Sequence, residues 1–268
     1  MKNKGIGKTA LVTGGTSGIG LAAAEALRDR GCRVWVLSRH PAELDGITSL
    51  AADVTDEESV KAAVASVLAE AGRIDILVNC AGSGISGAIE FTESADAKRQ
   101  FEVNFFGMAN VTKAVLGPMR QAGGGRIVNI SSVAAPVAIP FQAYYSASKA
   151  AINAYSAALA NEVRPFGITV TAIQPGDIKT GFTAARAKSA AGDDVYGGRI
   201  SRSVSKMEHD EMTGMDPAKA GAYIARQSLK KSVPPVSTIS AAYKAVTFLA
   251  RILPPSLFNR IIGNLYAK

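Results

Sequence analysis

At 268 residues, 47% of them apolar, the chain is long enough to bury one full α/β core, and this composition excludes a disordered chain. Two cysteines, Cys32 and Cys80, and two histidines, His40 and His209, fit no disulfide framework or metal-ligand spacing, so no metal site is expected. The net charge of +8 is unevenly placed: acids and bases balance up to Asp216, and the eight bases from Lys219 to Lys268 carry the whole excess.

Met1 to Lys8 carries charge but no apolar region, and no apolar run approaches membrane-spanning length, so a cytoplasmic location is expected. Lys8 to Thr13 reads as a short strand. It runs into Gly14-Gly15-Thr16-Ser17-Gly18-Ile19-Gly20 and then into a helix, Leu21 to Arg30. Glycines let backbone approach a phosphate, and a helix N-terminus offers free N–H groups and a positive dipole end. Strand, glycine loop and helix in that order are the context a dinucleotide site needs. Arg33 to Leu37 is a second strand, ending in Ser38-Arg39. A carboxylate in this position would bind the adenine ribose hydroxyls. None is present, and Arg39 offers a guanidinium suited to a 2′-phosphate, which favours NADP over NAD.

Ile47 to Ala52 is a third strand, closing at Asp53-Val54, and Asp56 to Ala71 is a helix with Thr55-x-x-Glu58 as its capping box. Ile74 to Val78 is a fourth strand, ending in Asn79-Cys80-Ala81-Gly82. Ala95 to Gln121 is mainly helical and contains Asn104, a residue mildly unfavourable inside a helix. Arg126 to Ile130 is a fifth strand, followed by Ser131-Ser132, and the alanine-rich stretch Tyr145 to Val163 is a helix. Ile168 to Ile173 is a sixth strand, followed by Pro175-Gly176-Asp177-Ile178-Lys179-Thr180. Phe182 to Met215 is polar with weak periodicity and reads as a cover over the site, about residues 181–215. Pro217 to Leu229 is a helix capped by Asp216, and Val233 to Ile239 holds a last short strand. This alternation predicts a single doubly wound parallel sheet of about seven strands with helices on both faces, whose ligands sit at the strand carboxyl ends.

Tyr145 and Lys149 are four apart and share one helix face, and Ser132 follows a strand end, so a phenol, an ammonium and a hydroxyl can meet. A free tyrosine has a pKa of about 10, and a nearby cation favours its phenolate. Ser132 can donate to a substrate oxygen that gains negative charge. The set suits proton transfer at an oxygen while something else moves a hydride.

These residues resemble the short-chain dehydrogenase/reductases over about residues 8 to 240. The matching motifs are Thr13-Gly14-x-x-x-Gly18-Ile19-Gly20, Asn79-x-Ala81-Gly82, Asn104, Ser132, Tyr145-x-x-x-Lys149 and Pro175-Gly176-x-Ile178-x-Thr180. The resemblance implies that Tyr145 is the general acid in carbonyl reduction, that Lys149 lowers its pKa and holds the nicotinamide ribose, that Ser132 orients the carbonyl and that Asn104 holds a relay water. It implies that Gly14, Thr16, Ser17 and Ile19 meet the phosphates, with Gly18 and Gly20 in the same loop. Ser38 and Arg39 would meet the 2′-phosphate, and Asp53 and Val54 the adenine. Asn79, Ala81 and Gly82 would flank the ribose, and Pro175, Gly176, Ile178 and Thr180 the nicotinamide. Cys80 stands where the family often has a second asparagine.

The expected activity is NADP(H)-dependent transfer of a hydride between nicotinamide and a bulky apolar ketone or secondary alcohol, steroid-like or lipid-like. Ile85, Val133, Ile139, Phe141 and Phe182 are candidate pocket walls. A 3-oxoacyl reductase is the alternative within the family, and a non-catalytic dinucleotide-binding regulator the alternative of another class. A nucleic-acid partner is not expected, since no array of stacking aromatics accompanies the charge. A homodimer or homotetramer is expected. The tail, residues 241–268, reads as basic amphipathic helices that extend the domain, with Leu257, Phe258, Ile261, Ile262 and Leu265 on one face. Such helices could cover the site, touch an anionic membrane or simply extend the core.

Overall fold

The computed structural model describes residues 5–268; residues 1–4 of the N-terminal stretch read above for targeting lie outside the described residues. Seven parallel strands form the central sheet: β1 (Thr9–Thr13), β2 (Arg33–Ser38), β3 (Ile47–Ala51), β4 (Ile76–Asn79), β6 (Gly125–Ile130), β7 (Ile168–Gln174) and β9 (Val236–Thr238). Their order is β3-β2-β1-β4-β6-β7-β9. A small parallel pair, β5 (Ile85–Ser86) with β8 (Ala187–Lys188), lies apart from it.

Strand alternation builds two cores. Ala10, Val12, Val34, Val36, Val78 and Val128 turn to one face, onto α1 (Gly18–Arg28) and α8 (Pro217–Ser228). Leu11, Trp35, Leu37, Leu77 and Ile127 turn to the other, onto α2 (Glu57–Ala71), α4 (Gly107–Gln121) and α5 (Ala143–Glu162). Both faces of the sheet are covered, which is why the strands read as continuous apolar runs. Thr13 pairs with Leu37 and with Asn79, and Asn79 with Asn129, so the loops after these strands open along one edge. Sheet growth reverses between β1 and β4, the crevice in which such folds bind ligands.

One local expectation needs correction, and two others gain detail. The cap of α2 is Asp56, whose carboxylate accepts from the backbone N–H of Glu58 and Ser59. Thr55 lies outside the helix and donates to Asp53 instead. The stretch 95–121 is helical as expected, but α3 (Ser94–Phe101) passes through a π-turn, Glu102–Phe106, before α4. The polar segment 182–215, read as a cover, has regular structure. It holds α6 (Phe182–Ala185), β8 and a full helix, α7 (Arg199–Met212), whose buried stripe is Ile200, Ser203 and Met207. The tail folds as α9 (Ala241–Ile252) and α10 (Pro255–Tyr266).

Candidate active site

Beyond the ends of β1, β4, β6 and β7 lies a cavity of about 360 Å³. Its walls take in Gly14, Ser17, Gly18, Ile19 and Gly20 from the glycine loop, Ala81 and Gly82 after β4, Ser132 after β6, Tyr145 and Lys149 from α5, and Pro175, Gly176, Ile178 and Thr180 after β7. Gly14 has φ +63, and a Cβ there would stand 2.9 Å from the Ala81 Cα, so only glycine allows the two loops to meet this closely. Thr13 fixes that meeting: its hydroxyl accepts from the backbone N–H of Cys80 at 3.0 Å and of Ala81 at 3.1 Å. Ser17 is the extended N-cap of α1, and its side chain makes no capping bond, so the helix N-terminus opens toward the cavity.

Lys149 is 6% exposed. Its ammonium donates to the Ile130 carbonyl at 2.9 Å and lies 5.6 Å from the centre of the Tyr145 ring. Burial pushes the Lys149 pKa down to about 8. Burial pushes the Tyr145 phenol up to about 12, while the nearby Ser132 hydroxyl and the Arg186 guanidinium work the other way. Desolvation outweighs the fields around the phenol, and the lysine turns its ammonium to a backbone carbonyl. Burial also pushes the Cys80 thiol up to about 11, which keeps it protonated and inert at neutral pH.

Several expected site residues stand behind the walls rather than in them. Asn104 is fully buried in the π-turn. Its amide donates to the Ser83 carbonyl and the Ser148 hydroxyl, and its oxygen accepts from the Ser83 N–H at 2.8 Å. Asn79 turns away from the cavity because alternation sends it to the α4 face, where it donates to Thr112 and Asn129. Val54 is buried beside Gly107, and its carbonyl accepts from Asn110. Thr16 donates to Ser38 at 3.0 Å. Arg39 is exposed, makes no ion pair among the described residues, and helps hold the Asp53 carboxylate below its usual range after the Thr55 hydrogen bonds.

The apolar end of the cavity is lined by Val133, Ala134, Ile139, Phe182 and Ala185. Ile85 and Phe141, also expected there, are not in the lining: Ile85 pairs in the small sheet, and the Phe141 ring sits edge-on to Tyr196. Sequence reasoning missed Glu211. It reaches the same wall from α7, takes the Thr183 hydroxyl, and pairs with Arg186, whose side chain is fully buried. The signal was available, since Ile200, Ser203, Met207 and Glu211 follow helical spacing on one face. Tyr243 was also missed. Its ring lies so close to Gly176 that a Cβ there would meet it at 2.1 Å, and its hydroxyl bonds the Asp177 carboxylate.

Residues 8–191 match the family model for the short chain dehydrogenases. The chain is 43% identical to a 3-ketodihydrosphingosine reductase of Bacteroides thetaiotaomicron over 84% of each chain. It superposes on a short-chain dehydrogenase from Streptomyces avermitilis with TM-score 0.81 at 32% identity, over 97% of this chain and 95% of that one. A 3-ketoacyl-(acyl-carrier-protein) reductase from Brucella melitensis, solved with NADH, follows at TM-score 0.73 and 25% identity, over 87% and 97%. With these motifs gathered at one edge of a seven-stranded parallel sheet, the chain belongs to the short chain dehydrogenases, oxidoreductases that work with a nicotinamide dinucleotide.

Proposed function

We propose that the protein is an NADP(H)-dependent reductase of a ketone carried on a bulky apolar, lipid-like molecule. The observation that carries this reading is the single cavity in which Ser132, Tyr145 and Lys149 meet the glycine loop at one end and an apolar wall at the other. The residues present suit a nicotinamide dinucleotide. The glycine loop is shaped by a positive-φ glycine against Ala81, the N-terminus of α1 faces it, Thr180 stands beside Gly18, and Lys149 stands beside Gly82. When bound, that group supplies the hydride.

In this reading the residues of the chain do the rest. Gly14, Thr16, Ser17 and Ile19 hold the phosphates, Ala81 and Gly82 flank the ribose, and Pro175, Gly176, Ile178 and Thr180 hold the nicotinamide. Ser132 donates a hydrogen bond to the ketone oxygen and strengthens it as negative charge grows there. Tyr145 gives its proton to that oxygen. Lys149 holds ribose hydroxyls, and its charge favours the phenolate left behind. Asn104, locked between Ser83 and Ser148, positions the backbone beside Lys149.

The choice of NADP is supported by the exposed Arg39 at the end of β2, where no carboxylate stands. The choice of a lipid-like ketone over a steroid-like one is supported by the similarity to the Bacteroides reductase. A 3-oxoacyl substrate is the second reading, favoured by the likeness to the Brucella enzyme. A homodimer or homotetramer is part of the proposal. The test follows NADPH and NADH consumption over a panel of long-chain amino ketones, 3-oxoacyl thioesters and steroid ketones, with Tyr145→Phe as control. Turnover of the long-chain ketone with NADPH, lost by about 10²–10⁴-fold in Tyr145→Phe, is expected. Preference for the thioester would move the substrate assignment to the second reading.

A further inference from the structure

On the far side of the tail from the active site, between α8, β9 and α9, lies a second cleft of about 570 Å³. Its walls carry Arg226, Lys230, Lys244 and Arg251 and no acid. None of these four takes part in an ion pair among the described residues, and the chain holds no carboxylate side chain after Asp216. Among its other polar residues, Ser237 has a buried hydroxyl oxygen with no hydrogen-bond partner. The Ser237 hydroxyl and the four exposed cations are all donors, and together they suit an anion.

The surface around the cleft is apolar. Phe248, Leu249 and Ile252 project from α9, and Leu257, Ile261 and Leu265 from α10, all more than 40% exposed. Six exposed apolar side chains on two consecutive helices are more than isolated surface hydrophobics, and apolar surface of this kind marks an interaction site. Lys244, Arg251, Arg260 and Lys268 lie among them.

We propose that this face docks on an anionic lipid bilayer, with a lipid phosphate in the α8–β9–α9 cleft and the outer faces of α9 and α10 in the headgroup layer. Charge complementarity selects this occupant. A second copy of the chain meeting the same face would set Arg226, Lys230, Lys244 and Arg251 against their own counterparts, at a cost that a negative lipid surface turns into attraction. The helices are too short to cross: each has 12 residues, about 18 Å, against a hydrocarbon core of about 30 Å. No helix among the described residues is long and apolar enough to span a membrane. They therefore lie in the plane of the interface. The inner face of α9 carries Tyr243 onto Gly176 and Asp177, so the docking helix rests directly on a wall of the catalytic cavity.

The test is flotation of the full chain with phosphatidylcholine vesicles and with mixed phosphatidylcholine–phosphatidylglycerol vesicles. Binding to the mixed vesicles alone, weakening with salt, is expected. Lys244→Gln with Arg251→Gln should weaken it by about 25-fold, taking about fivefold per basic residue at the surface. Ile252→Ser with Leu265→Ser should weaken it as well, while both variants keep the native melting temperature. No flotation with either vesicle, or equal flotation with both, would overturn the proposal. So would a light-scattering dimer that Ile252→Ser dissociates, since the face would then belong to a second copy. Protection of the cleft by inorganic phosphate without flotation would equally overturn it, leaving an anion site without a membrane. These readouts measure binding and not turnover, so they stand or fall independently of the proposed substrate.

Discussion

Tyr145 and Lys149 face one another across a turn of α5, and burial acts on them in opposite directions, raising the phenol and lowering the ammonium. For Lys149 this has a thermodynamic consequence. Its folded pKa of about 8 lies below the unfolded value of 10.5, so between these pH values the unfolded chain holds more protons. Native stability therefore rises with pH across that window, and the burden of the buried charge is greatest below pH 8. Lys149→Met removes the charge and the hydrogen bond to Ile130; only the first effect depends on pH. Relative to the variant, the native protein should gain up to about 3 kcal/mol between pH 7 and pH 10.5, read by urea unfolding at both. A constant difference would mean that Lys149 titrates at its ordinary value. Arg39 makes a simpler prediction. Replacing it with Asp should cost the NADPH complex roughly 1.5–3 kcal/mol, about one to two decades, and improve NADH binding, measured as the ratio of the two KM values. Equal use of both cofactors by the native protein would refute its role.

At the scale of elements, α7 is held to the site by the Arg186–Glu211 pair together with its buried stripe, Ile200, Ser203 and Met207. The Arg186 side chain is fully buried, with Nε and Nη1 left without partners, so its charge depends on Glu211. Glu211→Ala should destabilise the fold by about 3–5 kcal/mol, whereas Arg186→Met combined with Glu211→Leu should be close to neutral. Calorimetric melting separates the two, and similar losses in both would show that the pair is not the tie. The π-turn at Glu102–Phe106 has the same character: it interrupts a helix in order to bring Asn104 to Ser83 and Ser148. Asn104 stood out in the sequence as a residue out of place in a helix, but the sequence contains no mark of the extra residue per turn that makes its position useful.

For the whole molecule, the tail backs the active site without entering it. Among the described residues, none after Glu211 lines the cavity. Instead Tyr243 supports the Gly176 loop, Arg199 on α7 donates to the Ala267 carbonyl at 2.6 Å, and Ile262 is buried. A chain ending at Ser240 should therefore melt several degrees lower and bind NADPH more weakly, because the loop after β7 loses its support. Calorimetry and fluorescence titration check both, and unchanged cofactor affinity would reduce the tail to packing. The sequence by itself determined the parallel sheet and the edge of it along which Ser132, Tyr145 and Lys149 gather. Apolar runs, glycine loops and helical spacings are local patterns, and right-handed crossovers leave few ways to assemble them. Only the tertiary structure decided that desolvation dominates the Tyr145 and Lys149 pKa values, that Asn79 faces the core, and that Tyr243 reaches Asp177 from 66 residues along the chain. Burial and long-range contact are sums over every neighbour in space, and no stretch of chain carries them alone.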